Sequence, residues 1–231
     1  MSKPIKSEPI ELVIPDAGPL ISLAKANALD LLLVFKDEVR VIVTDYVQFE
    51  VTRAAAIHKD ALYLQQFFET NNQRIEIVNT DIGDLYIERY KRYQKYKSDA
   101  AYRETLERLG EIPPKVPGDL GEASILTFVG SIQAGGPSTP TLILAEDSTL
   151  LSRGIGFPNN AAIMSTFSFL KLLEHEHLLT SVSDIWSAIS EQRFIQETRV
   201  DLQAQNIPTD VSASIDQEKV REFDKKWKMN M

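Results

Sequence analysis

The sequence predicts an α/β protein in which helices cover a parallel sheet. Short apolar runs alternate with longer segments whose apolar residues recur at helical spacing, and polar or turn-forming residues separate the two. Parallel strands need a long crossover between them, usually a helix, so this regular alternation favours parallel pairing. The 231-residue chain, with 43% hydrophobic residues, is long enough to bury one sizeable core.

The first part of the chain reads as strand, helix, strand, helix, strand. Apolar, partly β-branched runs predict strands at 11–15, 39–43 and 74–78. Helical spacing predicts helices at 20–35 and at 59–70. Between them, another helix is expected to begin after Thr44 and Asp45, a pair that offers an N-cap. This order predicts that the three strands pair in parallel beneath the helices.

The second part continues the alternation after a long charged segment. The segment 82–110 has an imperfect helical stripe rich in tyrosine and leucine, and three prolines follow it. Strands are expected at 141–145 and 161–164, with a short helical turn at 148–153 between them. A helix is expected at 119–133, where a Gly-Gly-Pro sequence ends it. Two more are expected at 167–175, which a Ser-Thr pair caps, and at 182–189. These elements predict one domain over 11–190, with a helical insert at about 82–115.

The remainder, 191–231, is more polar and predicts a helical C-terminal extension. Helices are expected at 193–205 and at 215–227. The apolar stripe of the last helix ends at Trp227. This stripe is equally suited to pack into the groove of a partner protein or against the chain's own domain.

Composition excludes several classes of function. The net charge of −8 argues against nucleic-acid or membrane binding through bulk charge, although bound cations supply positive charge locally. The chain has no cysteine, which excludes disulfides, thiolate catalysis and cysteine-ligated zinc. Its longest apolar runs, such as 31–35, are far too short to span a membrane, and a cytoplasmic protein is expected.

Acidic residues recur where predicted strands end or where the adjoining helices begin. Asp16 follows the first strand, Glu50 lies in the helix after the second, and Glu122 lies in the helix before the fourth. Glu146 and Asp147 follow the fourth strand. The carboxyl ends of parallel strands meet at one edge of a sheet, so these acids are expected to lie close together.

Clustered carboxylates repel one another, and burial opposes their ionisation. A divalent cation removes this conflict, and Mg²⁺ or Mn²⁺ favours oxygen ligands of this kind. Two such ions about 3.5–4 Å apart activate a water and stabilise the leaving oxygen in phosphodiester cleavage. The acids therefore predict a metal site suited to hydrolysis.

Each acid also has a purely structural explanation. Asp16 and Asp147 are suited to cap the helical segments that follow them. Glu122 with Asp119 fits a capping box, and Glu50 fits a solvated helix position. Coincidence at every strand end is the less favoured explanation when the acids are taken together.

Four stretches resemble the PIN domain, the nuclease fold of many bacterial and archaeal toxin ribonucleases of the VapC type. They are VIPDAGPLISLAK around Asp16, VIVTDYVQFEV around Glu50, GDLGEASIL around Glu122 and LILAEDSTLL around Asp147. The resemblance extends through AAIMSTFSFLKLLEHEHLLTSVSDIWSAI and covers roughly 11–190. DAGPLISLAK and GEASIL are its more specific parts.

The resemblance implies a three-layer α/β/α domain with strand order 3-2-1-4-5 and a metal-dependent endoribonuclease activity. Mg²⁺ or Mn²⁺ would be bound by Asp16, Glu122 and Asp147 or Glu146, and Glu50 would complete the pocket. Ser165 or Thr166 would lie near the metal or a phosphate oxygen. The partners implied are an RNA substrate, an antitoxin protein and a second copy of the chain, with no membrane.

The chain departs from that pattern at two places. The PIN proteins it most resembles usually have two adjacent aspartates after the fourth strand, where this chain has Glu146 and Asp147, and either acid is a candidate for the pocket. An arginine often follows, where this chain has Leu151. An alternative is therefore a catalytically degenerate PIN fold that serves as a nucleic-acid-binding or protein-scaffold module.

The charged segment 82–110 itself has two interpretations. Its basic residues and tyrosines would suit an arm that holds phosphates and stacks on bases. A surface helix with inward-packed tyrosines and paired charges explains the same residues, and its interspersed acids favour this second interpretation.

Overall fold

The structure is a computed structural model that describes residues 10–35, 39–111, 120–134, 139–146 and 160–196. Five parallel strands form one sheet in the order β3-β2-β1-β4-β5. The strands are β1 (Leu12–Pro15), β2 (Arg40–Thr44), β3 (Ile75–Val78), β4 (Thr141–Leu144) and β5 (Ala161–Met164). The predicted α/β class and the strand order 3-2-1-4-5 are confirmed.

Helices connect the strands and cover the sheet. They are α1 (Ala17–Lys25), α2 (Asp45–Thr52), α3 (Lys59–Thr70), α4 (Asp81–Ser98), α5 (Ala100–Arg108), α6 (Leu120–Ala134), α7 (Thr166–His175) and α8 (Val182–Gln196). Every residue of β1 and β4 is buried, as expected for strands with helices on both faces. The fold is thus a three-layer α/β/α arrangement.

Two predicted helices are divided, each for a local reason. The helix predicted over 20–35 becomes α1 and a 3₁₀ helix at Leu29–Leu33, because Asn27 has a φ of +53°, in the left-handed region. The segment 82–110 divides at Asp99, whose side chain accepts a hydrogen bond from the Tyr102 N–H and caps α5.

Other predictions fall partly or wholly outside the described residues. The turn at 148–153 and the helix at 215–227 lie there, as does Asp119 of the suggested capping box. Helix α8 continues to Gln196 rather than ending near residue 189. No helix within the described residues has both the length and the apolar character needed to span a bilayer.

The sheet forms the centre of the core and fixes where β1 ends. Val13, Ile14 and Leu144 are fully buried in it. Beyond the last residue of β1, the Asp16 N–H still donates to the Leu144 carbonyl, at 2.8 Å. This additional bond holds the Asp16 backbone at the carboxyl edge of the sheet.

Helix α4 is anchored to the same edge by a buried carboxylate. Asp45, only 7% exposed, accepts hydrogen bonds at Oδ1 from the Tyr46 N–H and the Thr80 hydroxyl, both at 2.9 Å. The Thr80 oxygen in turn accepts the Gly83 N–H, also at 2.9 Å. Gly83 lies so close to this carboxylate that a Cβ there would overlap both Asp45 oxygens. Asp45 thus fastens the first turn of α4 to the start of α2.

We predict that Gly83→Ala destabilises the fold by about 1–3 kcal/mol, because its methyl group must displace a buried carboxylate. Gly130→Ala is the matched control, since Gly130 lies exposed in α6 with no atom within 4 Å of an added Cβ. The control should stabilise by up to about 1 kcal/mol, the usual preference of a helix for alanine over glycine. Urea denaturation measures both changes, and equal effects at the two positions would contradict the prediction.

Candidate functional site

Asp16 occupies the N-cap position of α1 without capping it. Its backbone is extended, with φ −78° and ψ 173°, and its side chain makes no capping hydrogen bond. The residue is nevertheless buried, with 8% exposure. The structural explanation suggested by the sequence, a side-chain cap, therefore does not account for this carboxylate.

Gly121, in the first turn of α6, lies against two carboxylates from distant parts of the chain. A Cβ on Gly121 would lie 3.1 Å from Asp16 Oδ1, 3.1 Å from Glu50 Oε2 and 3.4 Å from a methyl group of Val47. The two oxygens are therefore no more than twice 3.1 Å apart. The structure brings Asp16 and Glu50 together as the sequence predicted, and the absent side chain of Gly121 leaves the space beside them.

A short hydrogen-bond chain holds α6 in this position. The Ser124 hydroxyl donates to the Gly121 carbonyl at 2.7 Å, and the Thr44 hydroxyl oxygen lies 2.7 Å from the Ser124 oxygen. Because the single Ser124 proton is already used, Thr44 is the donor in this second bond. Because Thr44 is the last residue of β2, these two hydrogen bonds connect the first turn of α6 to the carboxyl end of the sheet. Glu122, 5% exposed, lies in that turn.

Glu146 lies at the end of β4 and contacts the starts of two helices. The Thr166 hydroxyl, 1% exposed at the start of α7, donates to Glu146 Oε1 at 2.6 Å. A Cβ on Gly18, in α1, would lie 3.2 Å from Glu146 Cβ and 3.4 Å from its Oε2. Thr166, which was predicted to lie near a metal or a phosphate oxygen, thus contacts one of the predicted acidic ligands.

Ser165 has a structural contact instead. Its hydroxyl oxygen accepts the Ser168 N–H at 3.1 Å and so caps α7. Asp147, predicted as a metal ligand, lies outside the described residues. The described part of the predicted site therefore consists of Asp16, Glu50, Glu122, Glu146 and Thr166, all at the carboxyl edge of the sheet.

The chemistry of this donor set fits a hard divalent cation, because every predicted ligand is a carboxylate. The acids fall into two neighbouring parts, Asp16 with Glu50 beside Gly121, and Glu146 with Thr166 beside Gly18. Among the described residues, which do not include Asp147, no three or more acidic or histidine side chains converge as ligands of one ion do.

Tyr46 and Asp45 are neighbours of the site, although the sequence pointed to Asp45 only as a candidate N-cap. Tyr46 is 4% exposed, and burial raises the pKa of its hydroxyl, as does the negative charge of Glu50. The positive charge of Arg53 lowers that pKa in part. Asp45 follows β2 as Asp16 follows β1, and this shared position was the signal in the sequence that could have drawn attention to Asp45. In the structure, however, Asp45 anchors α4.

Comparison of the chain with family models, curated proteins and solved structures gave no match. The chemistry of the site is therefore inferred from its own residues.

We predict that Thr166→Val destabilises the fold by about 1–2 kcal/mol, because Glu146 loses a charge-assisted hydrogen bond that water replaces only in part. Thr166→Ser keeps the hydroxyl and is the matched control, with a smaller loss from the missing methyl group. Thermal or urea unfolding compares the two. A valine variant as stable as the wild type would show that the contact contributes nothing.

Proposed function

We propose that this chain is a metal-dependent endoribonuclease of the PIN type, which hydrolyses RNA phosphodiester bonds at the carboxyl edge of its sheet. One observation carries the proposal. Asp16 from the end of β1 and Glu50 from α2 face the same glycine, Gly121, next to Glu122. Three separate segments of the chain thus contribute carboxylates to one edge.

The burial of these acids supports a bound cation. Asp16 is 8% exposed and Glu122 is 5% exposed, so both have lost most of their contact with water. Burial and mutual repulsion both oppose the ionised state of carboxylates, and a divalent cation offsets both costs.

Mg²⁺ or Mn²⁺, held by Asp16, Glu122 and Asp147 or Glu146, would polarise a phosphate and lower the pKa of a water for attack on phosphorus. The chain contributes fixed positions. The β1–β4 ladder holds Asp16, the Thr44–Ser124–Gly121 hydrogen bonds hold α6, and the Thr166 hydroxyl orients Glu146. Glu50, half-buried on α2, would accept a proton from a water or orient it.

The resemblance to toxin ribonucleases extends the proposal. It implies action on RNA in the cytoplasm, an antitoxin protein as partner and association of two copies. The α/β/α fold with strand order 3-2-1-4-5 is compatible with that resemblance. The proposed metal-dependent cleavage itself depends on the acidic residues at the sheet edge.

We predict that the wild type binds Mn²⁺ in a calorimetric titration and that Asp16→Asn lowers the affinity at least about tenfold. Asparagine keeps the shape of the side chain but removes the charge on which a hard cation depends. Asp60→Asn, in the first turn of α3, is the matched control and should bind as the wild type does. Removing one of several repelling charges should leave the melting temperature unchanged or raise it.

Cleavage of a labelled single-stranded RNA should follow the same pattern, with activity in Mn²⁺ that chelation with EDTA abolishes. Asp16→Asn should lose most of this activity, and Asp60→Asn should retain it. Absence of Mn²⁺ binding in the wild type, or unchanged cleavage by Asp16→Asn, would overturn the proposal. A protein that binds no metal would instead fit the scaffold alternative.

A second prediction tests the geometry rather than the charge. Gly121→Ala places a methyl group 3.1 Å from one oxygen each of Asp16 and Glu50, so it should weaken Mn²⁺ binding about tenfold or more. Gly130→Ala, in the same helix, adds the same methyl group in open space and should leave Mn²⁺ affinity unchanged. Equal Mn²⁺ affinity for the two variants would contradict a metal site beside Gly121.

A further inference from the structure

Helix α4 contains a strongly basic, aromatic stretch in an otherwise acidic protein. Residues 89–97 include five basic residues and no acidic one, although the whole chain has a net charge of −8. The same helix carries tyrosines at 86, 90, 93 and 96. A local concentration of positive charge beside aromatic rings suits a ligand that is both anionic and aromatic.

The tyrosines of α4 are only partly covered by the rest of the protein. Tyr86, Tyr90 and Tyr93 follow one another at i, i+4 and i+7, which places them on one face of the helix. All three are half-buried, and the only fully buried residue of α4 is Gly83. Each ring is thus partly covered by neighbouring groups and partly accessible to a ligand.

Each ring of this row has a cation above it. The guanidinium of Arg89 lies 5.3 Å from the centre of the Tyr86 ring, and that of Arg53 lies 5.0 Å from the centre of Tyr90. The ammonium of Lys97 lies 4.8 Å from the centre of Tyr93. We call these three tyrosines and three cations the tyrosine row. The faces of these rings already contact cationic side chains. Stacking of a nucleobase on an aromatic ring contributes more binding energy than contact with an exposed cation.

The tyrosine row is continuous with the acidic edge. Tyr90 packs edge-on against Phe49, with 5.1 Å between the ring centres, and Phe49 precedes Glu50 in α2. Arg53 lies three residues after Glu50, on the same side of α2. A strand that lies along the tyrosine row is therefore led toward the carboxylates beside Gly121.

The spacing of the rings favours a single strand over a duplex. Consecutive tyrosines of the row are separated by about 4.5–6 Å along the helix axis, from a rise of 1.5 Å per residue. Stacked bases in a duplex lie about 3.4 Å apart and present no free faces, whereas the splayed bases of single strands stack on protein rings.

We propose that the tyrosine row binds single-stranded RNA, with bases stacked on Tyr86, Tyr90 and Tyr93 and phosphates held by Arg53, Arg89 and Lys97. This inference rests on the proposed function for the direction of the strand, which runs from α4 toward Glu50. An acidic protein would engage the cations, but it would not use the accessible surface of the three rings.

Fluorescence anisotropy with a short labelled oligouridine in EDTA measures this binding without metal or cleavage. The full-length wild type should bind the single strand more tightly than a duplex of the same length. Tyr93→Leu should weaken binding about tenfold or more, because leucine keeps apolar bulk but has no planar face, whereas Tyr93→Phe should bind as the wild type does. Circular dichroism checks that α4 remains folded in each variant.

Two lysines provide a matched test of charge. Lys97 belongs to the tyrosine row, whereas Lys91 lies on the opposite face, 2.7 Å from Glu88. Lys97→Gln should weaken binding and reduce the slope of log affinity against log salt by about 0.7, the value for one phosphate contact of a single strand. Lys91→Gln should leave both quantities nearly unchanged.

Three outcomes would overturn the proposal: no preference for single-stranded RNA over duplex, equal binding by Tyr93→Leu and Tyr93→Phe, or equal losses from Lys97→Gln and Lys91→Gln. Failure of the nuclease proposal is distinguishable. Binding through the tyrosine row without cleavage in Mn²⁺ would remove the enzymatic activity and keep the RNA surface. Cleavage at an unchanged rate by Tyr93→Leu at subsaturating RNA would keep the nuclease and remove the surface.

Discussion

The parallel pairing of β1 with β2 on one side and β4 on the other is the constraint on which the rest of this structure depends. Parallel strands end at one edge, so the residues that follow them are brought together whatever their separation in the sequence. The Asp16 N–H continues the pairing by donating to the Leu144 carbonyl, which carries the regular ladder to the first residue of the site. The full burial of β1 and β4 makes a shift of register costly, because it would expose apolar residues.

Two glycines allow helices to approach that edge closely. At Gly83 the first turn of α4 lies directly on the Asp45 carboxylate, and at Gly121 the first turn of α6 lies on Asp16 and Glu50. A side chain at either position would meet oxygen atoms. The two contacts differ in what surrounds the carboxylate. Asp45 accepts hydrogen bonds from Tyr46 and Thr80 and anchors α4. Beside Gly121, in contrast, two carboxylates from separate segments of the chain lie close together.

The charges of the chain are segregated in a way that its net charge conceals. Acids collect at the strand ends, and a basic stretch without acids lies on α4, which contacts α2 through Phe49 and Tyr90. A polyanion is repelled by the acids alone and attracted by the basic helix. Under the proposed function, a cation at the acidic edge and the basic helix beside it together offset that repulsion.

The sequence by itself determined the α/β class, the parallel sheet and the position of each strand to within a residue, because short apolar runs and helical spacing are local signals. It also predicted that Asp16, Glu50, Glu122 and Glu146 lie at the carboxyl edge of the sheet, since an acid next to a strand end or to the start of a helix is visible along the chain. Only the tertiary structure decided which acids are anchors: Asp45 and Asp16 occupy equivalent places after their strands, and the difference arises from Thr80 and Gly83, far away in the sequence. The tyrosines of α4 likewise have a helical periodicity that fits burial or exposure, and their half-buried state depends on packing that no local pattern contains, such as the contact of Tyr90 with Phe49.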